Sequence, residues 1–125
     1  MSSLYLFQLA SRNAEWLAAR QTAIAGNVAN ANTPAYRAMD VKPFSALIDQ
    51  STLQMAATHP DHLQPSPFAP AAVGAVEGDA SNATLSGNSV HLEEEMTKLG
   101  EVSRSYALGA NLRRVFQQLF VASLK

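Results

Sequence analysis

The chain has 125 residues with nine basic and ten acidic side chains, a net charge of −1 and no cysteine. So even a balance carries no basic footprint for nucleic acid or anionic lipid, and it leaves no disulfide framework or thiolate metal site. The apolar share is 47%, but only 7% is aromatic and alanine supplies much of the rest. A single domain with a thin core is the expectation, one that gains from a partner, because each buried methylene contributes only about 0.8 kcal/mol.

The first element is a helix predicted over 3–31. Phe7, Ala10, Ala14, Leu17, Ile24, Val28 and Ala31 recur in steps of three and four, with Gln21 filling the seam, while Arg12, Glu15, Arg20 and Thr22 lie between them. That is the a/d spacing of a coiled-coil seam, and its alanines admit a close partner helix. The opening MSSLYLFQLASR has no basic lead, and Gln8 interrupts its apolar run. A cleavable signal is therefore not expected, and no window has the length of a membrane span.

After this helix comes GNVANANTPAYR. Pro34 biases Thr33 out of the helical region, so the helix stops near Ala31. Asn30 or Asn32 can adopt a left-handed cap or bond the last carbonyls. A short helix can begin at Pro43 and run through Phe44, Leu47 and Ile48. Residues 32–91 otherwise read as a loop-rich middle. Within it, 59–88 carry Pro60, Pro65, Pro67 and Pro70 and then Gly74, Gly78 and Gly87, with apolar alternation too weak for a strand.

The second long helix is predicted over 92–123. Leu99, Val102, Tyr106, Gly109, Leu112, Phe116 and Leu119 repeat the three–four step. Glu93, Glu94 and Glu95 stand in its solvated first turn, and Arg113, Arg114 and Lys125 toward its end, an arrangement that complements the helix dipole. The fold class is thus mainly α, a single domain over 1–125 whose terminal helices pair as a coiled-coil hairpin around a Pro/Gly-rich middle. A lone hairpin leaves Leu4, Leu6, Leu9, Val115 and Phe120 uncovered, as in a subunit of a helical assembly.

Signals for catalysis are few. His59, Asp61 and His62 could contribute to a metal site, but Pro60 breaks any regular helix there and zinc needs three or four convergent ligands. A local turn is the simpler reading. No nucleophile elbow and no phosphate-cradling loop occur, and the six glycines are far apart. The terminal helices lack the basic face of a membrane-surface helix. The expectation is no enzyme activity, no cofactor, no nucleic-acid partner and no direct lipid binding.

Three stretches carry a resemblance. GNVANANTPAYR is similar to the Asn-Ile-Ala-Asn-x-x-Thr-Pro-Gly-Tyr motif of bacterial flagellar axial proteins, matching at Asn27, Ala29, Asn30, Thr33, Pro34 and Tyr36. It departs at Val28, and at Ala35, where glycine is usual and alanine counts against a positive φ. MAATHPDHL and GNSVHLEEEMTKLGE resemble segments of the proximal-rod members of that class. In the second, His91 replaces an aspartate that would cap the helix, leaving Ser89 as the candidate cap.

The resemblance implies a structural subunit of the basal-body proximal rod, exported through the flagellar type III apparatus and folding on incorporation. It would transmit torque and enclose the export channel. Its partners would be other copies of itself, other rod proteins, and the basal-body adapter, MS-ring and export-gate proteins. Phe7, Leu17, Ile24, Val28, Leu99, Val102, Tyr106, Leu112, Phe116 and Leu119 are the candidate subunit-interface residues. Asn27, Asn30, Thr33, Pro34 and Tyr36 would fix the helix-to-loop turn and touch a neighbour. The competing reading is a cytoplasmic helical-hairpin export chaperone or binding module.

Overall fold

The computed structural model describes residues 2–50, 75–78 and 83–124. His59, Asp61 and His62, the side chain of Leu4, and Lys125 lie outside the described residues. The element order is α1 (Ser2–Ala29), β1 (Met39–Val41), α2 (Phe44–Gln50), β2 (Ala75–Glu77) and α3 (Leu92–Ser123). The architecture is mainly helical, as the three–four periodicity predicts.

α1 and α3 lie side by side and antiparallel. Leu17, Ile24 and Val102 form the buried core between them, with Trp16, Val28 and Leu99 packed against it. Further along, Ala10, Ala14 and Leu17 face Tyr106, Gly109 and Ala110 across a small interhelical gap. Alanine and glycine there allow close approach but contribute little apolar area.

α1 stops at Ala29, two residues short of the expected Ala31. The Asn30 amide hydrogen is shared between the carbonyls of Gly26 and Asn27, both at 3.1 Å, which tightens the last turn. Asn30 Nδ2 also donates to the Gly26 carbonyl at 2.9 Å, so a side chain takes over what the next turn of helix would supply.

The described part of the middle holds a two-stranded ribbon. β1 and β2 pair antiparallel, Met39 opposite Glu77 and Val41 opposite Ala75. This overturns the expectation of no strand within 59–88. Three residues per strand are too few to show alternation in sequence, and the ribbon exists because its partner and α1 hold it. α2 follows Pro43, whose carbonyl accepts from the Ala46 amide at 3.0 Å. Trp16 joins this region to α1: its indole N–H donates to the Lys42 carbonyl at 2.7 Å, its ring lies 6.0 Å from that of Phe44, and the Arg20 guanidinium sits 5.5 Å over it.

α3 runs over Leu92–Ser123 as expected, with Glu93, Glu94 and Glu95 in its first turn. Two details differ. The last turn holds no basic residue, since Arg113 and Arg114 fall about two and a half turns before the end. The cap position is His91, with no side-chain cap bond. Ser89 does not cap, because its hydroxyl accepts instead from the Ala38 amide at 2.8 Å.

Candidate functional site

The asparagine-rich turn and the lead into α3 fit together as one buried polar hub. Asn27, in the last turn of α1, is fully buried at 0% exposure. Its Oδ1 accepts from the Met39 amide at 2.8 Å, and its Nδ2 donates to the Met39 carbonyl at 2.7 Å. The side-chain amide thus pairs with β1 as a neighbouring strand would, satisfying both backbone groups of one residue. The second Nδ2 hydrogen goes to Glu95 Oε2 at 3.0 Å, and the Tyr36 hydroxyl donates to Asn27 Oδ1 at 3.4 Å.

Glu95 is only 2% exposed, so the acidic run is not all solvated as its composition implies. Its other oxygen accepts from Lys98 Nζ at 3.1 Å. Lys98 also faces Glu94 at 3.3 Å and Asp40 at 3.5 Å, while Arg20 spans Asp40 and Glu101, both at 3.6 Å. Burial alone would lower the Lys98 pKa, but the bonds and charges of Glu95, Glu94 and Asp40 outweigh it and raise the net value. The buried carboxylate is therefore both hydrogen-bonded and charge-paired, the condition under which burying one is tolerable.

Asn88, 3% exposed, closes the other side. Its Nδ2 lies 2.9 Å from the Asn30 carbonyl, 3.0 Å from that of Ala31 and 2.8 Å from that of Thr33. Its Oδ1 accepts from the Val90 amide at 2.8 Å. Three carbonyls of the turn that follows α1 thus face a side chain from the lead into α3. Thr33 Oγ1 donates to Asn30 Oδ1 at 3.2 Å, and the Ser89 amide donates to the Tyr36 carbonyl at 3.1 Å. Pro34 is exposed.

Ala35 takes φ 59°, the left-handed conformation for which glycine is usual, so the substitution leaves the turn geometry in place. Its amide donates to the Ser86 carbonyl at 2.9 Å. Gly87 packs against it at φ +78°, where an added Cβ would meet the Ala35 Cα at 3.4 Å. Asparagine density in this turn thus serves carbonyl capping and strand-like pairing inside one chain.

The other end of the hairpin is chemically opposite. From Ser103 to Ser123 every α3 residue is exposed, with Gly109 alone half-buried. Leu112 is 53% exposed and Leu119 61%, and Tyr106, Leu108, Val115, Phe116 and Phe120 join them. Phe7, Leu9, Phe44, Leu112, Phe116 and Leu119 line an open groove of about 650 Å³. The candidate interface residues therefore divide. Leu17, Ile24, Val28, Leu99 and Val102 pack within the chain and present little surface to a neighbour. Tyr106, Leu112, Phe116 and Leu119 remain open, with Phe7 half-buried at the groove.

Sequence reasoning missed Asn88 and Glu95 as hub residues. Glu95 had a signal, since stepping the α3 seam back four residues from Leu99 reaches it. Among the described residues, no group of three or more His, Cys, Asp or Glu is placed to hold a metal ion. Nor, among them, is any helix long and apolar enough to cross a membrane.

No protein-family model matches the chain. The flagellar basal body rod protein FlgB of Agrobacterium fabrum (strain C58) is 44% identical to it over the whole of this chain and 96% of its own length. The two stretches that meet in the hub are those in which the sequence resembles flagellar axial proteins, and the relationship runs from end to end: the chain belongs to the FlgB family of flagellar basal body rod proteins.

Proposed function

We propose that the chain is a structural subunit of the proximal rod of the flagellar basal body, stacking helically to transmit torque and enclose the export channel. The 44% identity to a flagellar basal body rod protein, over the whole of this chain, carries this reading. The uncovered apolar half of α3 says which surface would serve it. Single monomers rarely leave so continuous an apolar face open, and such faces mark protein contacts. Tyr106, Leu112, Phe116 and Leu119, with Phe7 beside them, are the assembly residues, while the remaining seam residues build the hairpin that displays them.

Contacts between unlike patches on successive copies generate a helical tube when they do not close into a ring. Other rod proteins, the basal-body adapter, the MS ring and the export gate complete the partner set, and passage through the type III apparatus needs no cleavable signal. The export-chaperone reading has no observation in its favour, and kinship with a rod protein counts against it.

Leu112→Asp tests the proposal. Leu112 is half exposed, so the variant should fold and be expressed. The expected result is loss of motility and of rods in purified basal bodies. Motile cells with a normal basal body would remove Leu112 from the interface, and absence of the wild-type protein from purified basal bodies would favour a chaperone.

A further inference from the structure

We propose that the buried Asn27–Glu95 contact, with Asn88 seated on the end of α1, is a register key that selects one alignment of α1 against α3. Neither the seam nor the length of the connection can do this, and the contacts of Ser86 and Ser89 with Ala35, Tyr36 and Ala38 act beside the key. The α3 row Val102, Gly109 and Phe116 repeats at intervals of seven, so in that row a slip of one heptad sets apolar against apolar or small, and in the next row it puts Arg113 only where the exposed Tyr106 stood. The small residues at the interhelical gap oppose such a slip weakly. A short loop would fix the alignment, as two to eight residues do in helical hairpins. Here Asn27 and Glu95 are 68 positions apart, so the chain between the helices is long enough to follow a slip.

The hub is not degenerate in this way. Moving α3 by a heptad, about 10 Å along the axis, withdraws Glu95 from Asn27 Nδ2 and Asn88 from the carbonyls of the turn after α1. Glu95 Oε2 then loses its Asn27 donor and the Asn30, Ala31 and Thr33 carbonyls lose their Asn88 donor, and a polar group buried without its partner costs more than a neutral hydrogen bond gains. Setting register is the best-attested use of a buried polar contact between helices.

The absence of cysteine makes the test direct, since two introduced cysteines are the only labelling sites. Spin labels at Ala25→Cys and Asn111→Cys, both exposed and axially offset, report the alignment through their distance distribution in the full chain. The parent should give one peak. Glu95→Met combined with Asn88→Ala should give a second peak several ångströms away with helical circular dichroism unchanged. Glu95→Gln, whose amide oxygen still accepts from Asn27, should keep the single peak. One native peak in the double variant at full helicity would overturn the proposal. So would loss of helicity in Glu95→Met alone, which would make Glu95 a general stabiliser.

Discussion

The two ends of the hairpin handle exposure in opposite ways. Around Asn27, Glu95 and Asn88, side chains and backbone from α1, β1 and the lead into α3 are buried and matched partner for partner. Beyond Val102, α3 holds its leucines and phenylalanines in the open. Polar contacts are directional and unforgiving of displacement, whereas apolar surface binds without fixed direction. The hub end therefore defines the shape of one chain, and the open end supplies area with which chains can join.

The largest expected effect comes from breaking the first of these. Asn27→Ala strips both backbone groups of Met39 of their partner and leaves a Glu95 oxygen buried beside a void. Orphaned buried groups cost about 1–3 kcal/mol each, and more where the group is charged, as Glu95 is. A loss of about 3–5 kcal/mol is expected, read from denaturant unfolding followed by helical circular dichroism. A loss under about 1 kcal/mol would mean that water enters the hub freely, and the contrast between the two ends would collapse.

A smaller change of opposite sign is expected at Ala35. Its φ of 59° places an L-residue where about 1–2 kcal/mol is stored, against roughly 0.5–1 kcal/mol of extra unfolded-state entropy for glycine. Ala35→Gly should thus stabilise the chain by about 0.5–1 kcal/mol, seen as a higher denaturant midpoint at unchanged slope. Gly87→Ala, which adds a Cβ at φ +78° against Ala35, should do the reverse. If Ala35→Gly lowers the midpoint, the turn is held by Ala35 packing and not by its backbone conformation.

How much of this was legible follows from the range of each signal. Helical periodicity is local, so α3 matches its expected bounds and α1 begins within one residue of them, stopping short of Ala31 where the Asn30 side chain intervenes. The bonds of Asn30 to α1 are also local, and a carbonyl-capping role could be read from Asn-x-x-Thr-Pro. Asn27 could be flagged but not assigned, because its partners lie at Met39 and at Glu95, 12 and 68 positions away. Ser89 looked like a helix cap for the same reason: nothing near it shows that the Ala38 amide, 51 positions back, claims its hydroxyl. The strands escaped because three residues cannot display alternation. Dividing the seam into packed and open halves was equally out of reach, since Val102 and Leu112 have the same period and differ only in what faces them.

That division sets the smallest expected effect. Leu119→Ser and Leu108→Ser remove large side chains that are 61% and 67% exposed, so no cavity forms and no buried group loses a partner. The remaining cost is intrinsic helix propensity, at most about 0.5 kcal/mol. The midpoint of isolated chains should therefore stay within about 0.5 kcal/mol of the parent for both variants. Leu119 lines the groove and follows the seam period, while Leu108 falls between seam positions. If the seam face is the joining surface, Leu119→Ser should reduce rod assembly in basal bodies more than Leu108→Ser at equal chain stability. Equal losses would show that α3 is covered all round, making the open end a buried helix of the assembly with no single adhesive stripe.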